Sequence, residues 1–275
     1  MSVRLRLARP PALRLDLRGL TPAALAGLDA AAIERLPLVE GRRSLPLAEW
    51  FDVVVDNDND KDSDGDTLRF EGDLSRCDRI GWRLAAGRIV VDGSAGDHAG
   101  AGMAGGELHI HGNAGQLAAC EMSGGRLVVD GSVGDFAASA QPGSMDGMRG
   151  GSFIVRGNAG QRFGDRMRRG TVLVFGDAGD FFASRMVAGS IALGGRAGAH
   201  VGYGMRRGSL VFAGARPAVA PTFVPAIAEA PVFWQLLARD LARHGGPFAD
   251  LPARRVTRHL GDLAAGGKGE LILVE

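Results

Sequence analysis

The sequence predicts an all-β chain, a parallel β-solenoid of about seven coils with small α/β caps at its two ends. Three observations predict it. Glycine accounts for 43 of 275 residues, about twice its ordinary share. The glycines recur on a 19-residue period. Each period opens with an apolar run of about three residues, too short for a helix. Such a unit cannot bury its own apolar face, whereas stacked copies bury it against one another.

Residues 1–66 are expected to form the N-terminal cap. VRLRL (3–7) and ALRLDLRGL (12–20) alternate apolar and basic residues, as half-buried strands do. Thr21-Pro22 opens a helix that is expected to run through Arg35. An acidic stretch, DNDNDKDSDGDTLRFE (56–71), follows. Asp60, Asp62, Asp64, Gly65 and Glu71 match a calcium-loop pattern. That loop needs a helix on each side, yet Thr67–Glu71 aligns with the opening strands of the later coils. Its eighth position, normally apolar, is Thr67. The stretch therefore reads as a solvated acidic loop joining cap to first coil.

The repeat region spans 67–212. Segments 88–106, 107–125, 152–170, 171–189 and 190–208 are 19 residues each. Segment 126–151 carries a seven-residue insertion around QPGSMDG, 67–87 is a degenerate unit, and Ser209 starts a partial one. Glycine holds the sixth, ninth and last places, supplying corners with positive φ and close backbone approach. Methionine stands three residues before the closing glycine (Met103, Met122, Met148, Met167, Met186, Met205), where it is expected to form an internal stack. The tenth place reads Asp97, Gln116, Asp135, Gln161, Asp180, Ala199. Alternation keeps the acids two coils, roughly 9.6 Å, apart. These residues read as ties for corner N–H groups rather than as paired catalytic carboxylates. At about 4.8 Å per coil, seven coils make a rod about 34 Å long.

Residues 213–275 are expected to cap the other end. PVFWQLLARDLARHG (231–245) is an amphipathic helix stopped by Gly245-Gly246, and the chain closes on a strand, ELILV (270–274). Capped ends argue against a self-assembling polymer.

Several function classes are excluded. A net charge of +1 gives no general reason to bind nucleic acid or an acidic membrane. Cys77 and Cys120 form no C-x-x-C, which argues against zinc-ribbon or iron–sulfur ligation and fits a reducing compartment. With no 18-residue apolar run and no apolar leader, a soluble cytoplasmic protein is expected. His109 and His111 share a strand face, but no third ligand is evident, and His109 stands mid-run as a core histidine would. Stretches such as GSAGDHAG lack the helix and Gly-Lys-Thr/Ser of a phosphate loop. No Ser–His–Asp or Cys–His motif appears. No catalytic residue and no metal ligand is expected in this chain. One feature lies outside the repeat logic. Arg149, Arg168 and Arg206 follow the methionine, Arg169 and Arg207 come next, and Arg166 and Arg185 precede it. This column reads either as a solvated edge or an interface with a neighbouring protein, or as a multidentate anion site.

The repeat G-x-x-G-x-x-x-G/A-x-x-M-x-x-G, as in GSAGDHAGAGMAGG, resembles two related groups. One comprises the C subunits of formylmethanofuran dehydrogenase and of its hydrolytic relative, the formyltransferase/hydrolase complex. The other is the C-terminal domain of the glutamate synthase large subunit. The N-terminal Val39-Glu40-Gly41, the closing RHLGDLAAGGKGELILV and the chain length resemble the C subunits specifically. The resemblance implies a right-handed β-helix beside amidohydrolase, formyltransferase and redox-subunit-like partners. It implies one-carbon metabolism, in which formyl-tetrahydromethanopterin yields formate through a methanofuran-type carrier with a polyglutamyl tail. No cofactor is implied in this chain. The composition, rich in Ala, Arg and Gly, suits a GC-rich bacterium and the hydrolytic version; a molybdenum or tungsten dehydrogenase is the alternative. The arginine column would then be the place to hold the carrier tail.

Overall fold

The computed structural model describes residues 2–56, 66–226 and 231–275. The calcium-loop positions Asp60, Asp62, Asp64 and Gly65 lie outside the described residues; Glu71 ends the strand Thr67–Glu71. A 13-stranded, mostly parallel sheet dominates the fold. Each repeat contributes one strand to it, and each strand pairs in parallel with the same places one repeat on, as Phe153 with Val172 and Val172 with Ile191. A second parallel line joins the eighth places, Leu74 to Ala95 to Ala114 and onward to Ala197.

Strand alternation sorts the opening residues. Second and fourth places such as Leu108 and Ile110 point into a core that also contains the methionines, and all six methionines of the column are 0% exposed. Phe153, Phe163, Phe182 and Phe212 run through the same interior with ring centroids 5.8–6.2 Å apart. Third places point the other way. From Val128 onward they are covered by Trp234, Ala238 and Leu241 of the helix Pro231–Ala242, with Phe248 and Leu251 completing the outer layer.

The glycine columns divide into two kinds. The closing column has positive φ, as at Gly170 (φ 102°). The sixth and ninth columns do not. They are glycine because the preceding repeat lies too close: a Cβ on Gly115 would collide with the Asp97 carboxylate and the Gly96 backbone. The corners themselves use left-handed residues that are often not glycine. In the unit 171–189 these are Phe181, Ala183 and Arg185, with φ of 59°, 56° and 54°.

Two polar ladders hold successive corners together. In the tenth-place column the Gln116 amide donates to Asp97 Oδ1 (2.9 Å), that of Gln161 to Asp135 (2.7 Å) and that of Ala199 to Asp180 (2.7 Å). The acids tie down corner N–H groups, as the turn reading expects. The seventh-place column runs Ser94, Asn113, Ser132, Asn158, Asp177, each side chain accepting the amide at the same place of the next repeat.

At one margin of the sheet, Ser2–Leu7 lies parallel to Thr67–Glu71, and Phe51–Asp56 runs antiparallel outside it. At the other, Gly269–Val274 lies parallel to Ser209–Phe212, and Val256–Gly261 runs antiparallel to it. Among the described residues no helix is long and apolar enough to cross a membrane.

Candidate functional site

The arginine column sits where the repeats close, and the structure divides it. Arg185 is half-buried and forms a two-pronged pair with Asp165 (2.9 and 2.8 Å). Asp165 also accepts from the Ser184 hydroxyl (2.5 Å). Arg166 donates to the Ser144 carbonyl (3.0 Å), holding the inserted loop, with Asp165 at 3.8 Å. Arg168 pairs with Asp146 at 2.5 Å. These three arginines are engaged in structure. Arg149, Arg169, Arg206 and Arg207 are exposed and form no ion pair among the described residues. Arg149 stands opposite Arg169 in adjacent parallel strands. The column has a further member that the repeat does not reveal. The Lys268 amide donates to the Arg206 carbonyl (2.6 Å), so exposed Lys268 continues the basic edge beyond the last repeat.

A second cluster lies on the outer face of the sheet, just past the edge of the helix-covered layer. His109 is not a core residue: its third-place side chain points outward and keeps 24% of its surface exposed. Asp130, on the next repeat, supplies the third ligand atom that was not evident in the sequence. His109 Nε2 and His111 Nδ1 lie 2.8 and 3.0 Å from the same oxygen, Asp130 Oδ2. The two rings are 4.3 Å apart between centroids. Burial alone would raise the Asp130 carboxyl, but hydrogen bonds from His109 and His111 outweigh it and hold the group below its ordinary value. Arg156 approaches the other oxygen of Asp130 at 3.3 Å, and Asp92 lies 3.7 Å from His111 Nε2. Adding the repeat length to His111 reaches Asp130, and that register was the signal available in the sequence.

The two cysteines offer no reactive thiol. Burial pushes both Cys77 and Cys120 up to about 12, and nearby acids (Asp78 and Asp73; Glu121) push in the same direction.

No protein-family model matches the chain. Among solved structures, it superposes on a chain of the formyltransferase/hydrolase complex FhcABCD from Methylorubrum extorquens, solved with methylofuran. The TM-score is 0.89 at 39% identity, over 98% of each chain. The chain belongs to the family of C subunits of formyltransferase/hydrolase complexes and formylmethanofuran dehydrogenases. Two curated members of that family match a shorter stretch. The C subunit of the formyltransferase/hydrolase complex Fhc of M. extorquens is 41% identical over 83 residues, 30% of this chain and 29% of the relative. The C subunit of the molybdenum-containing formylmethanofuran dehydrogenase 1 of Methanosarcina barkeri is 38% identical over 87 residues, 31% of this chain and 28% of the relative. Within this family member, the exposed half of the basic edge and the histidine cluster are separate features on separate columns of the repeat.

Proposed function

We propose that this chain is the C subunit of a formyltransferase/hydrolase complex, a non-catalytic scaffold beside the subunits that transfer and hydrolyse the formyl group. The observation that carries this reading is the match over 98% of both chains to a member of FhcABCD. That complex was solved with methylofuran, which supports a furan-type carrier at the level of the assembly. The partners in this reading are amidohydrolase, formyltransferase and redox-subunit-like chains, in the cytoplasm. The M. barkeri dehydrogenase protein is nearly as similar in sequence (38% against 41%) over a comparably short stretch. The full-length likeness is to the hydrolytic assembly and favours it.

The architecture proposed with this function is a right-handed parallel β-helix over 67–212, flanked by cap regions 1–66 and 213–275. Its support is the pair of parallel lines, opening strands and eighth places, that advance one repeat at a time. Within it, the basic edge is proposed to retain the polyanionic carrier tail. Arg166, Arg168 and Arg185 serve by shaping the loop and edge, while Arg149, Arg169, Arg206 and Arg207 face the tail. Exposed contacts are individually weak, about 0.2–1 kcal/mol, but several together hold a multivalent chain without locking it.

Affinity purification of the tagged chain from its native cells, with identification of co-purifying subunits and a formate-release assay, tests the assignment. The expected result is a soluble hetero-oligomer that releases formate without an electron acceptor. Recovery of an acceptor-dependent molybdenum or tungsten enzyme instead would overturn it, as would turnover by the isolated chain.

A further inference from the structure

The histidine cluster on the outer face satisfies the geometry of a metal centre. His109 and His111 are two residues apart on the strand Ala104–Ile110 and its continuation, so both side chains leave the same face. Asp130 lies beside His111 on the neighbouring coil, its amide bonded to the Ile110 carbonyl at 2.9 Å. One ligand atom from each residue falls within 4.8 Å of the other two. First-row metals bind imidazole nitrogen and carboxylate oxygen at about 2.0–2.2 Å, which places neighbouring ligand atoms roughly 2.9–3.5 Å apart. The two nitrogen–oxygen separations, 2.8 and 3.0 Å, fall on either side of the lower end of that range.

One of the two histidines has a carboxylate near its other ring nitrogen. A ligating histidine usually offers its other ring nitrogen to a carboxylate, which fixes the tautomer. His111 presents Nδ1 to the shared point, and its Nε2 faces Asp92 Oδ1 at 3.7 Å. Asp92 is itself held by Arg69 Nε at 2.5 Å. Asp130 offers Oδ2 to the histidines, while Arg156 Nε approaches Oδ1 at 3.3 Å. Each carboxylate thus has one side assigned to an arginine and the other to a histidine.

We propose that His109, His111 and Asp130 bind a single first-row divalent cation with imidazole preference, of which zinc is the test case. Two imidazoles and one carboxylate disfavour calcium and magnesium, which prefer all-oxygen shells. Binding requires His109 Nε2 and His111 Nδ1 to give up the protons they share with Asp130, so in the metal-bound state the His111 proton resides on Nε2, toward Asp92. With three protein ligands, the remaining coordination positions are left to water. The ion clips two successive coils together at the margin of the outer layer. This site is independent of the proposed place in a complex, since its ligands lie on this chain.

The test uses the untagged full chain, freed of metal with a chelator and titrated with Zn²⁺ by calorimetry and with Co²⁺ by visible absorption. The expected result is one ion per chain, with cobalt bands of nitrogen and oxygen ligation. His111→Ala and Asp130→Asn should abolish stoichiometric binding, and Asp92→Asn should weaken it about 10–100-fold. Imidazole NMR of the wild type supplies a readout that needs no variant: zinc should move the His109 and His111 signals and leave the other four of six histidines in place. Absence of one-to-one binding, binding unchanged in the His111→Ala and Asp130→Asn variants, or zinc shifts at other histidines overturns the proposal.

Discussion

Asp135 Oδ1 accepts a 2.7 Å hydrogen bond from the backbone amide of Gln161, the residue at the same place one repeat on. The bond gives a corner N–H a fixed partner and adds to the backbone bond from the Phe136 amide to the Gln161 carbonyl (2.9 Å) that joins the same two repeats. Asp135→Ala removes the acceptor. A lost side-chain acceptor costs about 0.5–1.5 kcal/mol, less than a buried one because the site is exposed to water. Urea unfolding should show that loss with an unchanged m-value; an unchanged midpoint would assign the acid no structural weight.

Met167 and Met145 form a matched comparison. Met167 is 0% exposed in the interior stack, whereas Met145, on the inserted loop, is 67% exposed. Met167→Ala should cost about 2–5 kcal/mol. Met145→Ala should fall within about 0.5 kcal/mol of wild type. Thermal melts of the two variants check the contrast.

The Asp16 carboxyl, on the strand Leu15–Asp16, lies below its ordinary value of 3.8. Burial pushes it upward, and hydrogen bonds from Arg18 with the charge of Arg79 outweigh that push. A depressed carboxyl contributes stability above its unfolded value, and the contribution is lost as pH falls through the folded value. The wild type should therefore lose more stability than Asp16→Asn on moving from neutral pH to below 3.8. Parallel acid-unfolding curves would contradict this.

The thiols of Cys77 and Cys120 are buried and raised to about 12. Neither should react with a thiol reagent at neutral pH in the folded chain, and both should react in denaturant. Rapid labelling of the native protein would place one of them at an opening.

On the basic edge, replacement of Arg149, Arg169, Arg206 and Arg207 with Ala should leave the complex assembled and weaken its affinity for a long-tailed carrier. The loss should shrink as salt rises, because exposed charges are screened. Replacing Arg185 instead should act on stability, since it would strip the buried Asp165 of its two-pronged partner. An intact complex with unchanged carrier affinity in the first variant refutes the tail reading.

Features that depend on one unit of the repeat were readable from the residues alone. The methionine column, the ninth-place glycines and the tenth-place acids each occupy a fixed place, and a fixed place needs only a period to be seen. Features that depend on what one unit sets beside another were harder. His109 looked like a core residue because it interrupts an apolar run, yet that run alternates, and only its second and fourth places face inward. Asp130 is separated from His111 by a full repeat, so the pair exists only once the register is known. Arg168 and Arg169 look equivalent in sequence. Folding gives Arg168 an acid on the inserted loop and leaves Arg169 opposite Arg149. Lys268 lies outside the repeat and joins the edge only through a strand that returns from the C-terminal region.

That returning strand bears on the order in which the chain matures at the ribosome. Successive repeats meet across 19 residues, as at Gln116 and Asp97. They can zip together as each one emerges. Ser209 meets Glu270 across 61 residues, through a 2.5 Å bond that Arg258 reinforces from the other side of the carboxylate. The strand Gly269–Val274 cannot dock until its residues have cleared the exit tunnel. Until then Ser209–Phe212 presents an open edge, the kind of surface that pairs wrongly with other chains. The vulnerable interval of biogenesis thus runs from the emergence of Ser209–Phe212 to the emergence of Gly269–Val274. Pulse-labelled hydrogen exchange on stalled nascent chains should find the amides of the earlier repeats protected first and those of 209–212 last.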